Sequence, residues 1–173
     1  MPLTVADRAR RIANFRYIEV RLMEIAAGWT PTTPEMEVKV MFGRHIWDLA
    51  QHADWLGKRT FELRQGEHYT LPPSEGYVEL LNDVAALRPT AGRLRALYDV
   101  VLAGLDQWYA AYMVQTDGLL DEPSVVISER IRGDIARMRR DADGVRGSLQ
   151  MAAADLGDLP RRHERVSQLI EAR

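Results

Sequence analysis

Apolar residues recur at three- and four-residue spacing along most of this chain, the period of amphipathic helices, and almost nowhere alternate as a strand would. The pattern is clearest from Pro34 to Gln65, where Val38, Met41, Phe42, His45, Asp48, Leu49, His52, Leu56 and Leu63 share a face. It predicts one helix over 34–65, with Thr33 as N-cap, Pro34 at the first helical position and Gly66 as the stop. Glu35, three residues after Thr32, offers an alternative capping box. At about 1.5 Å per residue such a helix would run roughly 48 Å, the scale of an elongated bundle.

The same spacing predicts a first helix over Val5–Ala27, with Ile12, Phe15, Ile18, Leu22, Ile25 and Ala26 inward and Gly28 ending it. Glu19 falls inside that stripe, while Glu24 lies on a flank with Tyr17 and Arg21. The short turn from Trp29 to Thr33 makes the first two helices antiparallel neighbours. Between 66 and 90 the pattern is broken by Pro72, Pro73, Gly76 and Pro89, leaving one short helix at Tyr77–Leu87. This stretch is either a crossover between the two ends of a bundle or a surface loop with a packed turn. A third helix over Ala91–Thr116 turns Leu94, Leu97, Tyr98, Val101, Leu105, Trp108, Tyr109 and Tyr112 inward, and Asp117-Gly118 ends it. The fourth begins after an N-cap at Asp121, with Glu122-Pro123 in its first turn, and continues through Ile127, Ile131, Asp134, Ile135, Met138 and Val145 to about Ala154. A last amphipathic piece, Pro160–Ala172, offers Val166, Leu169 and Ile170, which would serve a homodimer contact. The expectation is a single all-α domain over 1–173: a four-helix bundle with a short C-terminal helix.

Composition narrows the function by exclusion. The 173 residues carry a formal charge of -2, with 28% charged and 46% hydrophobic positions, giving no basic surface for nucleic acid or an anionic membrane. With no cysteine there is neither a disulfide framework nor a thiolate metal site, and the charged N-terminus does not read as a signal peptide. The expectation is a cytoplasmic protein without a membrane span. There is no P-loop, no G-x-G-x-x-G, no G-x-S-x-G and no H-E-x-x-H.

The chemistry of interest lies where polar groups interrupt the apolar seams. His45 and Asp48 are three residues apart, Asp48 and His52 four, so both pairs can point at one centre. Glu19 on the first helix and Asp134 on the fourth stand at inward positions. Carboxylates with imidazoles between helices suit Fe or Mn with positions left open. The plainer reading makes each histidine a hydrogen-bonded core residue and pairs Asp134 with Arg130 or Arg137. Trp108, Tyr109 and Tyr112 read as core or as the lining of a substrate pocket, Arg137 to Arg140 as a solvated face, and His68 and His163 as isolated and exposed.

The stretches YIEVRLMEIAAGWTPTTPEMEVK, GRHIWDLAQHADWLGKRTFELR and TDGLLDEPSVVISERI together resemble the ferritin-like superfamily, in a bacterial branch, over about a third of the chain. The resemblance implies a four-helix bundle whose relatives include di-iron oxidases, oxygenases and iron stores. By that likeness Glu19 matches the first-helix carboxylate and His52 the histidine of an acid-x-x-His pair. Leu49 stands in the acid's place with Asp48 one step away, and His45 would be an added ligand. Asp134 matches the second acid, but Arg137 and Met138 stand where a histidine is wanted, and the third helix has Asp99 and Asp106 on another face.

Two readings follow. In the first, Glu19, His45, Asp48, His52 and Asp134 hold Fe or Mn in a reduced or asymmetric site of an oxidoreductase. Here His52 and Asp48 are catalytic, and Trp108, Tyr109 and Tyr112 line the approach for a small-molecule substrate. In the second, no metal is bound and the same cluster is structural or lines a small-molecule pocket, with His52 as acid or base.

Overall fold

Thr4 starts the first helix, with a capping box that sequence reading missed: its hydroxyl accepts from the Asp7 backbone N–H, and the Asp7 carboxylate accepts from the Thr4 N–H at 3.1 Å. The computed structural model describes residues 3–64 and 69–171, and of 169–171 the backbone alone. The described residues form helices and no strand: α1 (Val5–Trp29), α2 (Met36–Glu62), α3 (Glu75–Ala85), α4 (90–115), α5 (Glu122–Ser148) and α6 (Leu159–Glu171). The expected stops at Gln65 and Gly66, and His68, lie outside the described residues.

Boundaries shift where tertiary contacts override local signals. α1 runs past Gly28 because Trp29 is buried and its indole N–H donates to the Ala85 carbonyl, after which Thr30–Thr32 forms a 3₁₀ turn. α2 starts at Met36 with Glu35 at its N-cap and no side-chain cap. Thr33, the expected cap, turns into the core and donates to the Trp29 carbonyl, while Glu35 accepts from the Thr90 hydroxyl. α5 stops at Ser148, before the expected Ala154. Gln150 adopts φ 50°, and the N–H groups of Gln150 and Met151 return to the Gly147 and Arg146 carbonyls, a Schellman termination. α4 contains a π-helical segment, Arg95–Val101, in which Leu102 N–H reaches back to the Leu97 carbonyl. Ala96, Leu97, Tyr98 and Val101 are all buried there, because α5 and α6 both pack against it.

The contacts at the two ends fix the chain's path. Arg93, in the first turn of α4, donates to Thr32, Thr33 and the Trp29 carbonyl, so α4 begins beside the α1–α2 turn. At the other end Arg59 of α2 meets Asp121 at 2.8 Å, and the Leu3 N–H donates to the Gln115 carbonyl. The stretch between α2 and α4 therefore crosses the length of the bundle, and α4 runs parallel to α2, with α1 and α5 opposite. One long connection with an up–down–down–up order results. Asp121 is fully buried and takes Tyr112 at 2.5 Å, Thr116 at 2.8 Å, Ser124 at 2.7 Å and Arg59. Burial works against its charge, yet these donors outweigh it and hold its pKa below the carboxylate norm.

α1 and α2 share the apolar stripe read from sequence, with Ile12, Ile18, Leu22, Leu49 and Leu56 fully buried; each contributes roughly 1.5–3 kcal/mol of transfer free energy. Phe15 bridges to Tyr109 of α4 at 4.3 Å between centroids. α3 packs on α1, and α6 packs on α3 and α4. The apolar side of α6 serves this chain's own core through Leu159 and Val166; the side chains of Leu169 and Ile170, read as a dimer contact, lie outside the described residues. His163, expected to be exposed, is instead buried against Gly104 and Tyr77, and burial pushes its pKa down to about 4. Gly104 is required there, since a Cβ would overlap the imidazole. Gly104→Ala should therefore cost about 1–3 kcal/mol in urea unfolding. Much of that loss should be recovered when His163→Ala is added, whereas additive losses would place the strain elsewhere.

Candidate acid–base site

Antiparallel packing of α2 on α5 aligns three polar layers with their inward faces. His52 meets Asp134, Asp48 meets Arg137, and His45 meets Asp141, each step being one heptad or half-heptad along both helices. Of the expected residues, Glu19, His45 and His52 are fully buried, and Asp48 and Asp134 are half-buried. Glu19, His52 and Asp134 come together directly; Asp48 joins them only through Arg137. His45 belongs to a separate cluster with Tyr98 and Asp141.

The two histidines have opposite surroundings. His52 Nδ1 lies 3.1 Å from Glu19 Oε2 and its Nε2 3.3 Å from Asp134 Oδ2. A carboxylate can only accept, so both ring nitrogens must carry protons for both bonds to form. Burial disfavours this imidazolium, but Glu19 and Asp134 outweigh it, and the pKa is raised above 6.5. Glu19 is held in turn by the Tyr109 hydroxyl, which donates to Oε1 at 3.0 Å. His45 instead has Tyr98 OH at 2.7 Å from Nδ1 and Asp141 Oδ2 at 3.3 Å from Nε2. A neutral ring satisfies both, accepting from Tyr98 and donating to Asp141. Burial lowers its pKa, only partly offset by Asp141.

Arg137 completes the seam. Its Nη2 lies 2.7 Å from Asp134 Oδ1 and 3.1 Å from Asp48 Oδ2, and its Nη1 4.0 Å from Asp141. The Asp48 contact is ionic without hydrogen-bond alignment, leaving Oδ2 buried and otherwise unpartnered. Burial works against the charge of Asp134, but the hydrogen bond from Arg137, its charge and His52 hold the Asp134 pKa below the carboxylate norm. Arg137 sits three residues after Asp134, the position at which a second metal-binding histidine was wanted.

These residues do not fit a shared metal. Glu19 and Asp134 lie off opposite edges of the His52 ring, His45 stands in a separate cluster with Tyr98 and Asp141, and a guanidinium occupies the space between Asp48 and Asp134. Among the described residues no three of His, Asp and Glu come together as a metal-holding group. The expected pocket aromatics are also divided. Tyr109 serves Glu19, Tyr112 serves Asp121 at the bundle end, and Trp108 packs on Tyr77 at 5.2 Å. Arg137, Asp141 and Tyr98 were missed as site residues. The signal available was the seven-residue step from Asp134 to Asp141, matching that from His45 to His52.

Between Met36, Val40 and Met41 of α2 and Gly144 and Val145 of α5 runs an open groove of about 570 Å³, rimmed by Glu37, Arg44 and Arg140, and Asp141 lines it. Asp141 is thus the one member of the His45 cluster that meets the groove. No helix among the described residues is long and apolar enough to cross a membrane.

In a pH titration followed by imidazole ¹H–¹⁵N correlation, the His52 resonances should shift above pH 6.5 and those of His45 below it; the reverse order would refute the assigned charges. By linkage, a raised folded-state pKa means that the stability contributed by His52 is fully present below 6.5 and is lost as pH rises through the raised value. The Tm advantage of the native chain over His52→Gln should accordingly be largest at or below pH 6.5 and shrink as pH rises above it.

No protein-family model, no curated protein and no solved structure matches this chain, which leaves the chemistry of the seam as the guide to its function.

Proposed function

We propose that this chain is a metal-independent bundle of ferritin-like topology that binds a small molecule in the α2–α5 groove and serves it with acid–base chemistry through Asp141. The observation that carries the reading is the pair of carboxylates on opposite nitrogens of His52. Protonated in that clamp, His52 is a structural cation, and Arg137 supplies the second positive charge to a seam whose carboxylates otherwise call for a metal. The ferritin-like assignment is supported by the single long crossover and the up–down–down–up order. Within this reading Asp141 acts as general base, being half-exposed on the groove, while His45 Nε2–H orients it and Tyr98 O–H fixes the His45 tautomer. His52 and Asp48, expected to be catalytic, have roles of position and charge.

The groove's apolar floor suits a ligand with an apolar body, and Arg44 and Arg140 on its rim, beside Glu37, offer contacts to an anionic group. Two measurements test the proposal. Protein purified aerobically without chelator should contain no stoichiometric Fe or Mn, and chelator should leave its Tm unchanged. Stoichiometric metal that disappears in His52→Ala would establish the metal reading instead. Anilinonaphthalene sulfonate, which has an apolar body and one anionic group, should bind at one site with enhanced fluorescence, and Val40→Asp should abolish most of that enhancement. Undiminished fluorescence in the variant would place binding outside the groove.

A further inference from the structure

A second cluster of charge, distant from the seam, sits where α1 and α3 end and α4 begins. The cleft there encloses about 220 Å³ and is lined by Arg21, Glu24, Trp29, Thr32, Arg88 and Arg93, among others. Glu24 pairs with Arg21 at 2.6 Å, so those two charges cancel. Arg88 is exposed and has no ion pair among the described residues.

Arg93 is the unusual member. It is only 2% exposed, and a charge so buried ordinarily faces a counter-charge. Its partners are neutral: Nε donates to the Leu87 carbonyl at 2.9 Å, Nη1 to the Trp29 carbonyl at 3.4 Å and the Thr33 hydroxyl at 3.0 Å, and Nη2 to the Thr32 hydroxyl at 2.9 Å. A guanidinium has five N–H groups, so these bonds leave one, on Nη2, without a protein acceptor among the described residues. The Trp29 carbonyl closes α1 and the Leu87 carbonyl lies in the turn just past α3; their partial negative charge steadies the guanidinium and fixes its plane without neutralising it. Burial first, and then the neighbouring Arg88, lower the Arg93 pKa, with Glu35 opposing.

We propose that this cleft binds a phosphate group, free or carried by a small molecule, between the Arg88 side chain and the remaining N–H of Arg93. Arg93 is the preorganised half of the site, held by two helix ends and the face of Trp29, 5.6 Å from its Cζ. Arg88 is the adjustable half, free to close over the anion from solvent. Phosphate supplies the missing counter-charge and accepts from both guanidinium groups, the geometry for which arginine is suited.

Calorimetric titration of the full chain in phosphate-free buffer at constant ionic strength tests this, with inorganic phosphate and glycerol phosphate as separate ligands. One saturable site is expected, with Arg88→Ala weakening it about tenfold, the scale of one lost charge contact near a surface. Arg88→Ala is the useful variant because it should fold with an unchanged Tm in the absence of phosphate, whereas removing Arg93 would also release two helix ends. Binding of the ester alone assigns a carried phosphate, and binding of both assigns the group itself; either supports the site. Absence of saturable heat with both ligands, or equal affinity in Arg88→Ala, overturns it.

Discussion

A carboxylate lies on each side of the His52 ring, one from α1 and one from α5, and the rest of the interior is arranged to make that tolerable. Placing an imidazolium and two carboxylates inside a bundle carries a desolvation penalty that is recovered only if every remaining lone pair and proton finds a partner. Tyr109 takes the second oxygen of Glu19, and Arg137 takes the second oxygen of Asp134. The clamp also determines register. His52 reaches both acids only if α2 lies between α1 and α5 at one axial offset, and that offset also brings His45 to Asp141 and Asp48 to Arg137. A slip of one turn would strand four carboxylates.

The parts of this architecture legible in the sequence were those with a local period. The stripes of α1, α2, α4 and α5 are set by three-four spacing, so Ile12, Leu22, Leu56 and Leu105 are buried as expected, and so are Glu19, His45 and His52 in their midst. What the period could not give was partnership. The pairing of Asp134 with Arg137, three residues on, was open to sequence reading as one of two partners, but the second carboxylate on Arg137, Asp48, is revealed only by the packing of α5 on α2. Asp141 looks like any surface aspartate until His45 is placed opposite. The direction of the 63–89 connection also depends on distant residues, since it was Arg93 and Asp121, each gathering partners from several segments, that fixed which end α4 starts from. His163 failed for the opposite reason. Its neighbours in sequence are charged, but a missing Cβ at Gly104 makes room for its ring.

The seam's remaining asymmetry bears directly on function. A residue three positions after Asp134 points at the same centre as Asp134 itself. An imidazole there would offer a lone pair and invite a metal; a guanidinium offers charge, five donors and no lone pair. Arg137 therefore meets the electrostatic demand of Asp48 and Asp134 without creating a vacancy for a ligand. On the acid–base reading proposed above, His52 is held as a cation between two acids, and proton exchange with a bound molecule would fall to the layer where the histidine is neutral. That layer is His45 with Asp141, and it is the layer that adjoins the groove. Both layers follow a single rule: with each ring buried, its state is set by whether its second nitrogen faces a carboxylate or a tyrosine hydroxyl.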